Sequence, residues 1–177
     1  MVFSTVNSWP SAIMVATMTA SCVILLAAAC HDVIARTVPN WMSVVLAGFG
    51  VILGFLNQRL LFSLAFGAVI FVAAAVCWRR GWMGGADVKL LGAIAIVLPP
   101  AQVATFAVAM SIAGGVHAAI YLVARHIVTP PHRPRPRSLL FRGLRAEQWR
   151  ISHGGPLPYA CAIAFGFFFA VFKGATP

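Results

Sequence analysis

The stretch "LLFSLAFGAVIFVAAAVCW", residues 60–78, contains no charged side chain, with Arg59 before it and Arg79-Arg80 after it. As an α-helix rising 1.5 Å per residue it is about 28 Å long, close to the ~30 Å hydrocarbon core of a bilayer. It is read as a membrane-crossing helix. Working outward, further apolar runs lie at about 12–30, 41–56, 88–98, 101–124 and 156–172. The run at 88–98 is short unless counted from about Trp82, and Pro99-Pro100 ends it. The pattern predicts an all-α integral membrane protein, a polytopic bundle of about six transmembrane helices forming one domain over 1–177.

Composition requires the same class. Hydrophobic residues make up 61% of the 177 and charged residues 9%, against about a quarter charged in soluble domains. Such a chain cannot cover its own surface in water, so the lipid bilayer is its solvent. The net charge of +10 would point to nucleic acid in a soluble protein. Here the basic residues cluster between apolar runs, where they act as topology signals, and nucleic-acid binding is excluded. Cys22, Cys30, Cys77 and Cys161 form no C-x-x-C pair and lie in or beside apolar runs, as reduced thiols do. "LLAAAC", ending at Cys30, has the look of a lipoprotein cleavage box. No charged side chain precedes it, so an uncleaved first helix is the better reading.

Orientation follows from the basic residues. With the N-terminus outside, the cytoplasmic segments are about 31–40, 79–89 and 125–155. They carry Arg36, Arg79, Arg80, Lys89, Arg125, Arg133, Arg135, Arg137, Arg142, Arg145 and Arg150, and the opposite side carries only Arg59 and Lys173. The loop at about 125–155 is the one substantial hydrophilic segment. Its Pro- and Arg-rich first half should be extended. Its second half, with Leu139, Leu140, Phe141, Leu144 and Trp149 among arginines, suits an anionic inner leaflet.

The chain holds three acidic residues, Asp32, Asp87 and Glu147. Two crossings separate Asp32 from Asp87, and an even number returns the chain to the same face. Both carboxylates are therefore expected at the cytoplasmic boundary, Asp32 where the first helix ends and Asp87 where the fourth begins. Asp87 could simply cap its helix, and Asp32 could pair with Arg36 four residues on. Together they suggest more, because a helix C-terminus disfavours a negative charge and the domain is otherwise nearly acid-free. Two carboxylates at one face form a candidate aspartyl dyad. In such a pair one oxygen activates water while the protonated partner polarises a carbonyl.

"DVIARTVPN", starting at Asp32, resembles the D-x-x-x-R-x-[IV]-P-N stretch of type IV prepilin peptidases. "GGADVKL", starting at Gly84, is similar to their G-x-G-D-[VF]-K-L motif, and "PLPYACAIAFG", starting at Pro156, to the opening of their last helix. The resemblance implies a membrane-embedded aspartic endopeptidase of the bacterial inner membrane. It would remove the leader of prepilin or pseudopilin precursors at the cytoplasmic face. Asp32 and Asp87 match the two catalytic aspartates. Gly84, Gly85, Arg36, Asn40 and Lys89 fall within the motifs as substrate-positioning candidates, and no cofactor or metal is implied. Two departures stand out. Ala86 occupies the place of a motif glycine, and a positive φ there would disfavour alanine. The cytoplasmic segment with paired C-x-x-C motifs, found in larger members that also N-methylate the product, is missing. Its absence resembles the short peptidases of tight-adherence (Flp-type) pilus systems.

Other polar residues read more plainly. Lys89, two residues from Asp87, points elsewhere on a regular helix and snorkels to the interface. His31 and His117 are left out of the site. Gly50 and Gly54 are spaced for a close helix–helix contact. Two rival functions remain: a small proton-coupled transporter, which would want its acids near the midplane between repeats, and a non-enzymatic subunit of the pilus assembly machinery.

Overall fold

The structure is a computed structural model, and it describes residues 8–130, 138–155 and 157–175. Seven helices occupy these residues: α1 Ser8–Ala35, α2 Asn40–Leu56, α3 Leu60–Arg79, α4 Gly85–Val97, α5 Pro100–Ile127, α6 Leu139–Ser152 and α7 Ala160–Ala175. The helical class agrees with the sequence, but the loop at 125–155 contributes a helix of its own, α6. Its Pro- and Arg-rich portion at 131–137 lies outside the described residues. Three helices are long and apolar enough to cross a bilayer, over Ser11–Ala35, Leu60–Arg79 and Pro100–Ile127. The others are shorter, at 17 residues for α2, 13 for α4 and 16 for α7. At 13 residues, α4 is only about 20 Å long. The sequence-based start at Trp82 was three residues early, because the chain between α3 and Gly85 turns instead of continuing helically.

The chain divides into two compact units. The first comprises residues up to Leu25 and Pro39–Ala104. In it α4 packs against both α2 and α3, which touch each other much less. This position explains why α4 is apolar nearly all round, with Val88, Leu90, Leu91, Ile94 and Val97 all buried. Close approach is built on glycine. A Cβ at Gly50 would stand 2.9 Å from the Ile96 backbone carbon, and one at Gly67 only 2.3 Å from the Ile96 side chain. The contact expected at Gly50 is thus made to α4. Polar contacts mark the two ends of this unit. At one, Lys89 Nζ of α4 donates to Asn40 Oδ1 of α2 at 2.7 Å; at the other, Arg59 donates to the Val97 carbonyl at 3.0 Å. So α2 and α4 start at the same end of this unit.

The second unit comprises Leu26–Val38 and the residues from Thr105 onward. The α5 and α7 backbones approach closely, since a Cβ at Gly166 would lie 2.9 Å from the Met110 nitrogen. Gly114 similarly makes room for the Tyr159 ring, 2.8 Å from a notional Cβ. Along α5, Val108, Ile112, Val116 and Ile120 recur every fourth residue and are all exposed. One continuous apolar stripe on a helix of this length calls for hydrocarbon around it.

Candidate active site

Asp87 is in the first turn of α4, with Gly84 as the residue that caps the helix. Gly84 has no side chain to offer, and its carbonyl accepts the Val88 N–H at 3.3 Å. A Cβ at Gly84 would stand 3.0 Å from Asp87 Oδ2, so the carboxylate curls back over the glycine. Such a Cβ at Gly84 would make the Asp87 carboxylate give way by a few tenths of an ångström. Gly85 faces a different neighbour, with the Trp78 indole nitrogen 3.3 Å from where a Cβ would be. Ala86 lies within α4, and the non-glycine residues with positive φ among those described are Arg36 and Gln58. The motif departure at Ala86 therefore carries no backbone strain. Two further candidates meet directly in the Lys89–Asn40 hydrogen bond. That pair borders an apolar groove of about 570 Å³ formed by α2, α3 and α4, lined also by Ser43, Ala47, Gly67 and Gly92.

Asp32 lies in the last turn of α1 and is half-buried. Its Oδ2 accepts the backbone N–H of Ala160, the first residue of α7, at 3.2 Å. The sequence argument counted only the unfavourable end of α1. The start of α7 adds the opposite dipole end and a donor aimed at the carboxylate. Cys161 follows on α7, its thiol donating to the Ala29 carbonyl at 3.9 Å. His31 turns to the loop, with Nδ1 against the Thr37 carbonyl oxygen.

The pairing of Asp32 with Arg36 does not form. The Arg36 N–H still donates to the Asp32 carbonyl at 2.8 Å, but Arg36 then leaves the helix at φ 54. That conformation costs a non-glycine residue about 1–2 kcal/mol. Its guanidinium donates to Glu147 of α6 and to the Tyr121 hydroxyl of α5. Tyr121 also donates to Glu147, and Arg150 reaches the other Glu147 oxygen at 3.1 Å. Arg150 further donates to the Val33 and Ile34 carbonyls, which the end of α1 leaves without helical partners. Burial by itself would raise the Glu147 carboxyl. The bonds from Tyr121, Arg36 and Arg150, with the charge of Arg36, outweigh it and hold the group below its ordinary range.

Glu147, Tyr121 and Arg150 were missed at the level of sequence. The available signals were Glu147 being one of three acids and its spacing to Arg150, a pair that also suits any solvated helix. Asp32 and Asp87 fall in different units. Among the described residues no three His, Cys, Asp or Glu side chains gather as a metal-binding group.

The sequence model of the type IV leader peptidase family matches residues 19–119. The chain belongs to the type IV leader peptidase family. No curated protein and no solved structure matches it. The leader peptidase match contains Asp32, Asp87 and both of their motif segments. It stops before α6 and α7, so Glu147 and the α7 N-terminus lie beyond it. As a leader peptidase the protein is a peptide-bond hydrolase, which sets it apart from the carrier and from the assembly subunit.

Proposed function

We propose that this leader peptidase is a multi-pass aspartic endopeptidase that cleaves the leader of prepilin-like precursors at the cytoplasmic face of the inner membrane. In this reading α2, α4 and α7 join the three long helices in a six-pass chain. Asp32 and Asp87 carry the reaction: one carboxylate takes a proton from water and the protonated partner polarises the scissile carbonyl. Gly84 leaves the Asp87 carboxylate room to curl back over the start of α4 and Gly85 leaves room for the Trp78 indole, while Asn40 and Lys89 position the adjoining loop. The observation that carries the reading is the family match spanning both aspartates within their motif segments. The short, Flp-type form is favoured because the four cysteines of this sequence form no C-x-x-C pair, and methylation of the product is not part of the proposal.

The test is co-expression with a prepilin-type precursor. Asp32→Asn and Asp87→Asn should each abolish formation of the shortened product at wild-type protein level in the membrane. Near-normal cleavage by either variant would rule out the dyad.

A further inference from the structure

We propose that Glu147 is a positioning residue for Asp32: it takes up Arg36 and, with Arg150, clamps the last turn of α1, leaving the Asp32 carboxylate to the start of α7. The inference rests on the reading of Asp32 as a catalytic group and adds the third acid of the chain to that site.

Three observations support it. First, Arg36 follows Asp32 by four residues, the spacing at which opposite charges on a helix pair. The ion pairs of Arg36 and of Arg150 nonetheless go to Glu147. Second, Arg36 keeps unspent capacity, since its Nε and Nη1 are buried and have no hydrogen-bond partner. Deprived of Glu147, the Arg36 guanidinium would have Asp32 as its nearest carboxylate in sequence. Third, the cluster is shielded. The side chains of Arg36 and Glu147 are only 13% and 14% exposed, so their pairing is less screened than a surface salt bridge.

The other groups facing the cluster do not offer Arg36 an alternative carboxylate. Tyr121 and His117 come from α5, with ring centroids 4.9 Å apart, and Arg150 comes from α6 itself. On the α7 side, Asp32 faces Cys161 and the Ala160 N–H. Losing Glu147 therefore has a specific consequence. Arg36 is released to capture the Asp32 carboxylate, and the reaction loses an oxygen that must stay free for water or the carbonyl.

The experiment compares purified Glu147→Gln, Glu147→Asp and the double variant Glu147→Gln/Arg36→Gln, with Asp32→Asn as the control, on a prepilin-type precursor. Glu147→Gln should lower kcat by about tenfold or more and leave KM within about twofold, the mark of an interaction that matters in the transition state. Glu147→Asp keeps the charge and should recover most of the loss. The double variant has no arginine to capture Asp32, so its kcat should rise at least about fivefold above that of Glu147→Gln. Wild-type kcat in Glu147→Gln, or a double variant no better than Glu147→Gln, would overturn the proposal. If Glu147→Gln does not accumulate in the membrane, the double variant is compared with Arg36→Gln alone: kcat equal within about twofold supports the proposal, and a further loss overturns it. An inactive Asp32→Asn beside a fully active Glu147→Gln would sink only this inference. An active Asp32→Asn would sink the aspartic reading itself.

Discussion

At the scale of single residues, the chain uses its three carboxylates differently. Glu147 is held ionised by Tyr121, Arg36 and Arg150, which together outweigh its burial. A carboxyl with a lowered native value stabilises the fold at pH above its unfolded value of about 4.3 and loses that contribution as pH falls through the native value. Hydrogen-exchange protection of α6, corrected for intrinsic rates, should therefore weaken as pH drops below about 4.3, and Glu147→Gln should remove that dependence. Gly84 makes a second prediction. A methyl group there would sit 3.0 Å from Asp87 Oδ2 and push the carboxylate aside. Gly84→Ala should lower cleavage by about tenfold or more at normal protein level, because small misplacements of a reacting group are costly. Ala86→Gly should bring no gain in activity, since Ala86 is already helical and glycine would weaken α4 by up to about 1 kcal/mol. Both aspartates stood out in the sequence through their scarcity and their motifs, which the family match spans. Glu147 was not, because its contacts to Tyr121 and Arg36 span 26 and 111 residues, and no local pattern announces a partner that far away.

At the scale of elements, long uninterrupted apolar runs were the most legible feature. The run at 60–78 became α3, Leu60–Arg79, because nothing within it breaks a helix and charges bracket both ends. α6 was harder to see as a helix, since its apolar residues alternate with arginines and it follows a proline-rich tract. The small-residue spacing in α2 was read correctly, and the structure separates its glycines. A Cβ at Gly48 meets nothing within 4 Å, whereas one at Gly50 meets both the side chain and the backbone of Ile96. Backbone cannot move aside as a flexible side chain can, so Gly50→Ala should force α2 away from α4. The expected cost is about 1–3 kcal/mol, typical of overpacking. Gly48→Ala should be neutral or stabilising by up to about 1 kcal/mol through helix propensity. Thermal unfolding of the two variants in detergent provides the comparison, and equal effects would mean that α2 and α4 do not meet at Gly50.

At the scale of the whole molecule, the proposed orientation rests on charge placement, and unit 1 has two chemically distinct ends. Arg59 binds the last turn of α4 at one end, and the Lys89–Asn40 bond closes the other. Residues 58 and 80 bracket α3, which is long and apolar enough to cross a bilayer, so labels at these positions should report opposite faces. The end of α3 carries Arg79 and Arg80, with Trp78 and Trp82 exposed and the Arg80 guanidinium 5.2 Å from the Trp82 ring centroid. Basic residues next to exposed tryptophans suit the headgroup layer of a cytoplasmic leaflet. In a chain whose four cysteines are replaced, Gln58→Cys should react with an impermeant thiol reagent added outside spheroplasts. Arg80→Cys and Arg135→Cys should react only after the membrane is opened. Labelling of 58 and 80 from the same side would mean that α3 does not cross. Clean reversal at all three positions would place the Asp87 end of α4 in the periplasm, away from unprocessed precursors, and the proposed cytoplasmic cleavage would fall even with the family assignment intact.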